Sequence, residues 1–313
     1  MNPSAPAPPL AAPPQARNGP GALRPLILVA DFSGNAVLGY PLTAKGNAAP
    51  TIDVSGKLTG LGHADNIALD AASNIYISIN DKTIGVYAAD ANGDARRIRK
   101  IGGSNTQLSF PIGVAVDSKG HLYVADCGSG DVKVFAPRAN GNVAPIRVIG
   151  LTTGCTIEDA VDAKDDLYVT SGDNVISEFS SYAHGNNPIR QIDEKEGSPG
   201  VGIRSVAIDS LGNLYAGNLL AKDIRVFSPS ASGTASPIRT IKGSQTHLGA
   251  PTGLALDDND HLYVTLCEYC HQGSGTDSVL IFPSKANGNV KPKTVILGSK
   301  TELNAPTDLA VRD

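Results

Sequence analysis

Short apolar runs separated by polar punctuation recur along nearly the whole chain. In the stretch SKGHLYVADCGSGDVKVFAPRANGNVAPIRVIG, residues 118 to 150, apolar-rich runs such as LYVA and VKVF are short and stop at Gly, Asp or Pro. Enrichment of such runs in Val, Ile and Tyr predicts short β-strands.

The pattern repeats. Tyr76, Tyr123, Tyr168, Tyr215 and Tyr263 lie 47, 45, 47 and 48 residues apart, and Leu28 stands 48 before Tyr76 in the same slot. A second ladder has the same period: AKGN at 44, ANGD at 91, ANGN at 139, AHGN at 183, ASGT at 231 and ANGN at 286. Each unit predicts four strands: an inner one (GVAVD, GLALD, SVAID), an LYV-type second, a third ending in Phe or Tyr, and a fourth after the A-x-G turn. Pro50, Pro145, Pro188, Pro237 and Pro292 open the fourth strand, as suits an exposed edge where a missing N–H breaks no ladder. Arg147, Arg190 and Arg239 come just after them and would discourage pairing with another edge.

Sheets of four strands repeated radially make a β-propeller. Residues 26 onward begin at a second strand, and APTDLAVRD at 305 to 313 supplies a first strand. The expected fold is therefore all-β: a six-bladed propeller over 26–313. Its last blade is closed by both termini, a strand from 307–312 joining strands from 26–54. Residues 1–25 hold eight prolines and read as a disordered Pro/Ala-rich tether.

The repeat wording, PIGVAVDSKGHLYVAD at 111–126 and PTGLALDDNDHLYVT at 251–265, resembles the NHL-repeat family of bacterial, TolB-like six-bladed propellers. The likeness spans about 26 to 313 and implies the fold. It implies little about function, because that architecture hosts scaffolds, lactonases and lyases.

Composition narrows the field. Apolar residues make up 41% and aromatics 5%, with 34 Gly, 21 Pro and no Trp, as in a turn-rich β-protein. A formal charge of −4 gives no field for nucleic acid, and no apolar run reaches the length of a membrane span. The tether has no apolar core of a signal peptide. It reads as a spacer downstream of a removed export signal or lipid anchor, which implies an extracytoplasmic location. A monomer is expected.

Candidate chemistry lies where units depart from their own consensus. Asp70, Asp117, Asp162, Asp209 and Asp257 recur once per unit and read as turn residues, as do His121 and His261. Gly113 and Gly253 occupy a slot filled elsewhere by Asn66, Glu158, Ser205 and Asp308. Asn66 and Asp308 are residues that tolerate a left-handed backbone in place of Gly. Around them come Asp65, Asp159 and Arg204, with Asp31, Asp126 and Asn218 at the ends of second strands. The face carrying the blade links and the loops between second and third strands is thus the candidate binding face. Its carboxylates and amides would suit a hard cation such as calcium, which the gluconolactonase and paraoxonase-like propellers, by resemblance, place at this mouth. His63 is a candidate general base, or a loop cap. The His-plus-Glu pair of the virginiamycin B lyase group has no clear counterpart.

Cys127 and Cys155 fall on the same face of adjacent units, where a disulfide is reasonable and would fit an exported protein. Cys267, Cys270 and His271 spell C-x-x-C-H, the covalent haem pattern. The spacing from the repeat tyrosine to the third-strand aromatic is 11 or 12 in four units, but 19 from Tyr263 to Phe282. The string therefore lies in an insertion. Met1 is the only methionine, so a second axial ligand would have to be His63 or His247. A Cys267–Cys270 disulfide pinning the loop is favoured over haem or a metal site. The expected function is a non-catalytic scaffold binding an unidentified protein or small molecule through the loop-rich face. The alternative is a calcium-dependent lactonase-like hydrolase or lyase at the channel mouth.

Overall fold

The structure is a computed structural model that describes residues 23–151, 154–194, 202–267 and 276–313. Six antiparallel sheets of four strands make up the described chain. The first blade joins Pro306–Arg312 to Leu26–Asp31, Ala36–Pro41 and Ile52–Val54. Leu26 pairs with Arg312 and Leu28 with Ala310, so the two ends of the chain close one sheet as expected. Blades two to six run in chain order, with inner strands Ala64–Leu69, Pro111–Val116, Thr156–Val161, Ile203–Ile208 and Pro251–Leu256. Each inner strand touches those of the blades before and after it, and Pro306–Arg312 touches both Pro251–Leu256 and Ala64–Leu69, which completes the ring.

The core lies between blades. Tyr40, Tyr87, Phe135, Phe179, Phe227 and Phe282 end the third strands and are wholly buried. Removing that much aromatic surface from water is the main stabilising term. The repeat tyrosines carry a second duty. Tyr76, Tyr123 and Tyr215 accept hydrogen bonds from Arg99, Arg147 and Arg239 at 2.6, 3.1 and 2.9 Å, while Tyr76 and Tyr123 donate to the turn residues Asp70 and Asp117.

Two readings of the outer strand change. The fourth strand is not an open edge, because the A-x-G turn of the next blade docks on it. Gly46, Gly93, Gly141, Gly233 and Gly288 bridge to Ile296, Val54, Ile101, Ile192 and Ile241, and Gly185 donates to the Val148 carbonyl. These glycines have φ between 60 and 78°, the left-handed region that a side chain disfavours. The arginines also turn inward: Arg147 donates to the Ser181 and Ala183 carbonyls of the next blade, Arg190 to Ala231 and Arg239 to Ala286. Edge protection comes from this clasp rather than from exposed charge. The prolines keep their role, since the residue after each donates to the third strand, as Ile146 does to Val134 at 2.8 Å.

The Cys127–Cys155 disulfide forms, tying the third blade to the link into the fourth. Cys267 is also disulfide-bonded, and the rest of the C-x-x-C-H string, Cys270 and His271, lies outside the described residues. So does most of the tether, up to residue 22. No helix of the described residues is long and apolar enough to cross a membrane.

Candidate functional site

Every inner strand slips register near its start, for example between Ala64 and Ile67, Pro111 and Val114, and Thr156 and Asp159. Such a bulge frees a main-chain amide and re-aims the side chains beside it. Second-strand hydroxyls take some of the freed amides: Asn66 N–H donates to Ser78 Oγ at 3.0 Å and Glu158 N–H to Thr170 Oγ1 at 3.1 Å. Bulge side chains take others from the next blade. Asp308 Oδ2 accepts from Ile67 N–H at 3.1 Å, and Asn66 Oδ1 from Val114 N–H at 2.9 Å.

Gly113 and Gly253 occupy this same slot, but neither has positive φ, and nor do Asn66 or Asp308. The left-handed reading of the slot is therefore corrected: the glycines serve close approach. A Cβ on Gly113 would lie 2.6 Å from Asp159 Oδ1 and 2.9 Å from the Asp159 nitrogen, and one on Gly253 would lie 2.4 Å from Asp308 Oδ1. The missing side chains make room for carboxylates.

The result is a polar plug across the central channel. Arg204 of the fifth blade donates to Asp65 of the second at 2.9 Å, and Asn66 of the second blade donates to Glu158 of the fourth at 2.8 Å. Glu158, Asp159 and Asp308 are 6, 3 and 5% exposed. Burial pushes Asp308 up to about 7 against the pull of amide hydrogen bonds and Arg204. Burial, then the charge of Asp308, raises Glu158 and Asp159 well above the usual carboxylate range.

Asp159 is the anomaly. It stands three residues before the turn aspartate, where sister blades have Ile67, Val114, Val206 and Leu254, and Leu309 fills the slot in the first blade. Those side chains belong to interblade cores. Neither oxygen of the Asp159 carboxylate receives a hydrogen bond from another described residue. An aliphatic position converted to an unpartnered acid is costly to the fold.

Of the sequence-predicted site, the plug therefore unites Asp65, Asn66, Glu158, Asp159, Arg204 and Asp308. Three other residues hold loops. Asp126 accepts from the Ser109, Phe110 and Gly128 amides and lies 3.4 Å from buried Lys133. Asp31 accepts from the Asn304 amide, and Asn218 from that of Ala221. His63 is exposed, stacks on Phe32 at 4.5 Å, and takes Asn35 as the partner of its main-chain amide. The donor set of the plug is all oxygen, which suits a hard cation in kind. Among the described residues, no three acidic, His or Cys side chains are grouped to hold a metal ion.

Sequence reading overlooked two further departures in the fourth blade, both on the opposite face. Glu178 occupies the slot of Val86, Val134 and Val226, and Asp166 that of Asn74, His121, Asn213 and His261. Comparing blades slot by slot would have found both. They adjoin Arg190, Tyr168 and Asp162 beside a cavity of about 460 Å³.

The fold and plug define a six-bladed propeller with a polar-filled channel. The NHL repeat family matches residues 108–135, in the third blade. An NHL repeat thus lies in the third blade of a six-bladed propeller. No curated protein matches the sequence. Among solved structures, a protein of unknown function from Bacteroides caccae is similar at 12% identity, with a TM-score of 0.66, covering 92% of this chain and 98% of that one. The nidogen/laminin complex gives 13%, 0.66, 92% and 98%, and the WD40 propeller domain of Doa1 gives 12%, 0.58, 88% and 81%. These likenesses concern the fold.

Proposed function

We propose that this chain is an extracytoplasmic binding propeller that takes its ligand at the channel mouth on the loop-rich face, without catalysis. The observation that carries the reading is Asp159. A buried acid with no partner among the described residues, in a slot that the other five blades fill with aliphatic side chains, is a cost that binding would offset. The disulfide is compatible with export.

The test is a thermal-shift screen of metabolites, metals and peptides on the wild type and on Asp159→Val. Ligands that stabilise only the wild type are expected. A screen whose hits stabilise both proteins equally would place the binding site elsewhere.

The oxygen-only donor set favours a second reading, a calcium-dependent hydrolase or lyase of the lactonase-like class. Asp65, Asn66, Glu158, Asp159 and Asp308 would have to close on the ion from their present spacing. Metal analysis of purified protein, with lactone hydrolysis measured with and without chelator, decides it. Stoichiometric calcium with chelator-sensitive turnover would replace the scaffold reading.

A further inference from the structure

We infer that the channel plug binds the N–H-bearing head of an organic cation, a primary ammonium or guanidinium group, with Asp159 as its principal acceptor. The inference rests on the channel-site reading under the proposed function and narrows it to one ligand class.

The plug holds unused acceptors. Both Asp159 oxygens lack a donor from any other described residue, at 3% exposure and against Gly113, where no side chain intervenes. Asp308 is held by the Ile67 and Leu309 amides, and Glu158 Oε1 accepts from Asn66, so Asp159 is the plug carboxylate left without a donor. Arg204 is the cation of the plug, and its bond goes to Asp65. Glu158 and Asp308 thus share the field of one guanidinium already engaged by Asp65, and Asp159 lies within the field of Asp308 alone. The set is short of donors and of positive charge.

Coordination chemistry selects the kind of cation. A calcium ion needs six to eight oxygens converging at about 2.3–2.6 Å. These side chains are not so grouped. An ammonium has three N–H donors and a guanidinium five, pointing apart, so each can reach a separate acceptor at about 2.7–2.9 Å. Asp159 and Asp308 come from the inner strands of the fourth and first blades, and a donor that spreads its bonds is the kind that would serve both. The part-exposed Asp65–Arg204 pair, with side chains 12 and 15% exposed, stands at the mouth. There Arg204 already shows the plug holding a guanidinium.

The experiment uses the full chain at constant ionic strength, with propylammonium, propylguanidinium, tetramethylammonium and calcium chloride as probes. Tetramethylammonium has the charge but no N–H. Thermal unfolding is monitored for the wild type, Asp159→Val and Asp159→Asn. Val is the residue that two sister blades carry in this slot, and Asn keeps the shape without the charge. Saturable upward shifts of several degrees are expected with propylammonium or propylguanidinium on the wild type alone. At least a tenfold weaker midpoint is expected in Asp159→Asn and none in Asp159→Val. Equal shifts in Asp159→Val, an equal response to tetramethylammonium, or silence of both N–H probes would overturn the inference. A calcium shift lost in Asp159→Val would overturn the organic-cation assignment while leaving the channel as a ligand site, so the two failures are separable.

Discussion

Arg204 and Asp65, on opposite blades, meet at 2.9 Å across the central channel. Their side chains are 15 and 12% exposed, so the bond is neither a solvated surface pair nor a fully buried one. The Arg204 charge also lowers Glu158 and Asp308 toward ionisation. Arg204→Met should therefore cost about 2 kcal/mol, between the surface and buried limits for broken pairs. The loss should be larger at pH 8 than at pH 5, because more of the plug is ionised at the higher pH. Urea unfolding at the two values measures it, and an equal loss at both would separate Arg204 from the carboxylates.

Asp31 and Asp308 are both raised from 3.8 to about 7, in each case mainly by burial. Between those values the folded chain holds more protons than the unfolded one. Stability must then fall as pH rises through about 4 to 7, and Glu158 and Asp159, raised in the same direction, add to the decline. Unfolding midpoints should be higher at pH 5 than at pH 8, and Asp308→Asn should narrow the difference. Midpoints that rise from pH 5 to pH 8 would contradict these environments.

The Cys127–Cys155 bridge closes a loop over a sequence separation of 28 and anchors the link that leads into Thr156–Val161, the strand carrying Glu158 and Asp159. Cys127→Ala/Cys155→Ala should lose about 3 kcal/mol, the usual loop-closure scale. A chemical-denaturation series gives the value. A change under about 0.5 kcal/mol would mean that the blade junction holds without it.

Much of the fold was legible in the sequence, because a radial repeat writes each structural role several times. The tyrosine spacing counted the blades, and the inner-strand wording of APTDLAVRD at the end of the repeats announced closure by Pro306–Arg312. Roles that depend on the neighbouring blade were harder to read. Arg147 looks like an edge charge until the Ser181 carbonyl of the next blade is found beside it. Gly113 looks like a left-handed glycine until the Asp159 carboxylate is found in its empty side-chain space. Asp126 and Asp159 look alike as acids near one face, yet one is saturated by three loop amides and the other receives no bond from another described residue. Slot identity carried the missing information: an Asp among Ile67, Val114, Val206 and Leu254 is visible in the chain once the units are stacked.

The most direct test is the equilibrium stability of Asp159→Val at pH 7.5 without ligand. If the carboxylate is kept for binding at the expense of the fold, giving this blade the residue of its sisters should raise stability by about 1–3 kcal/mol, the penalty of an unpartnered buried polar group. A variant less stable than the wild type would show that Asp159 holds the fourth blade together, and would contradict the reading of the plug as a binding site.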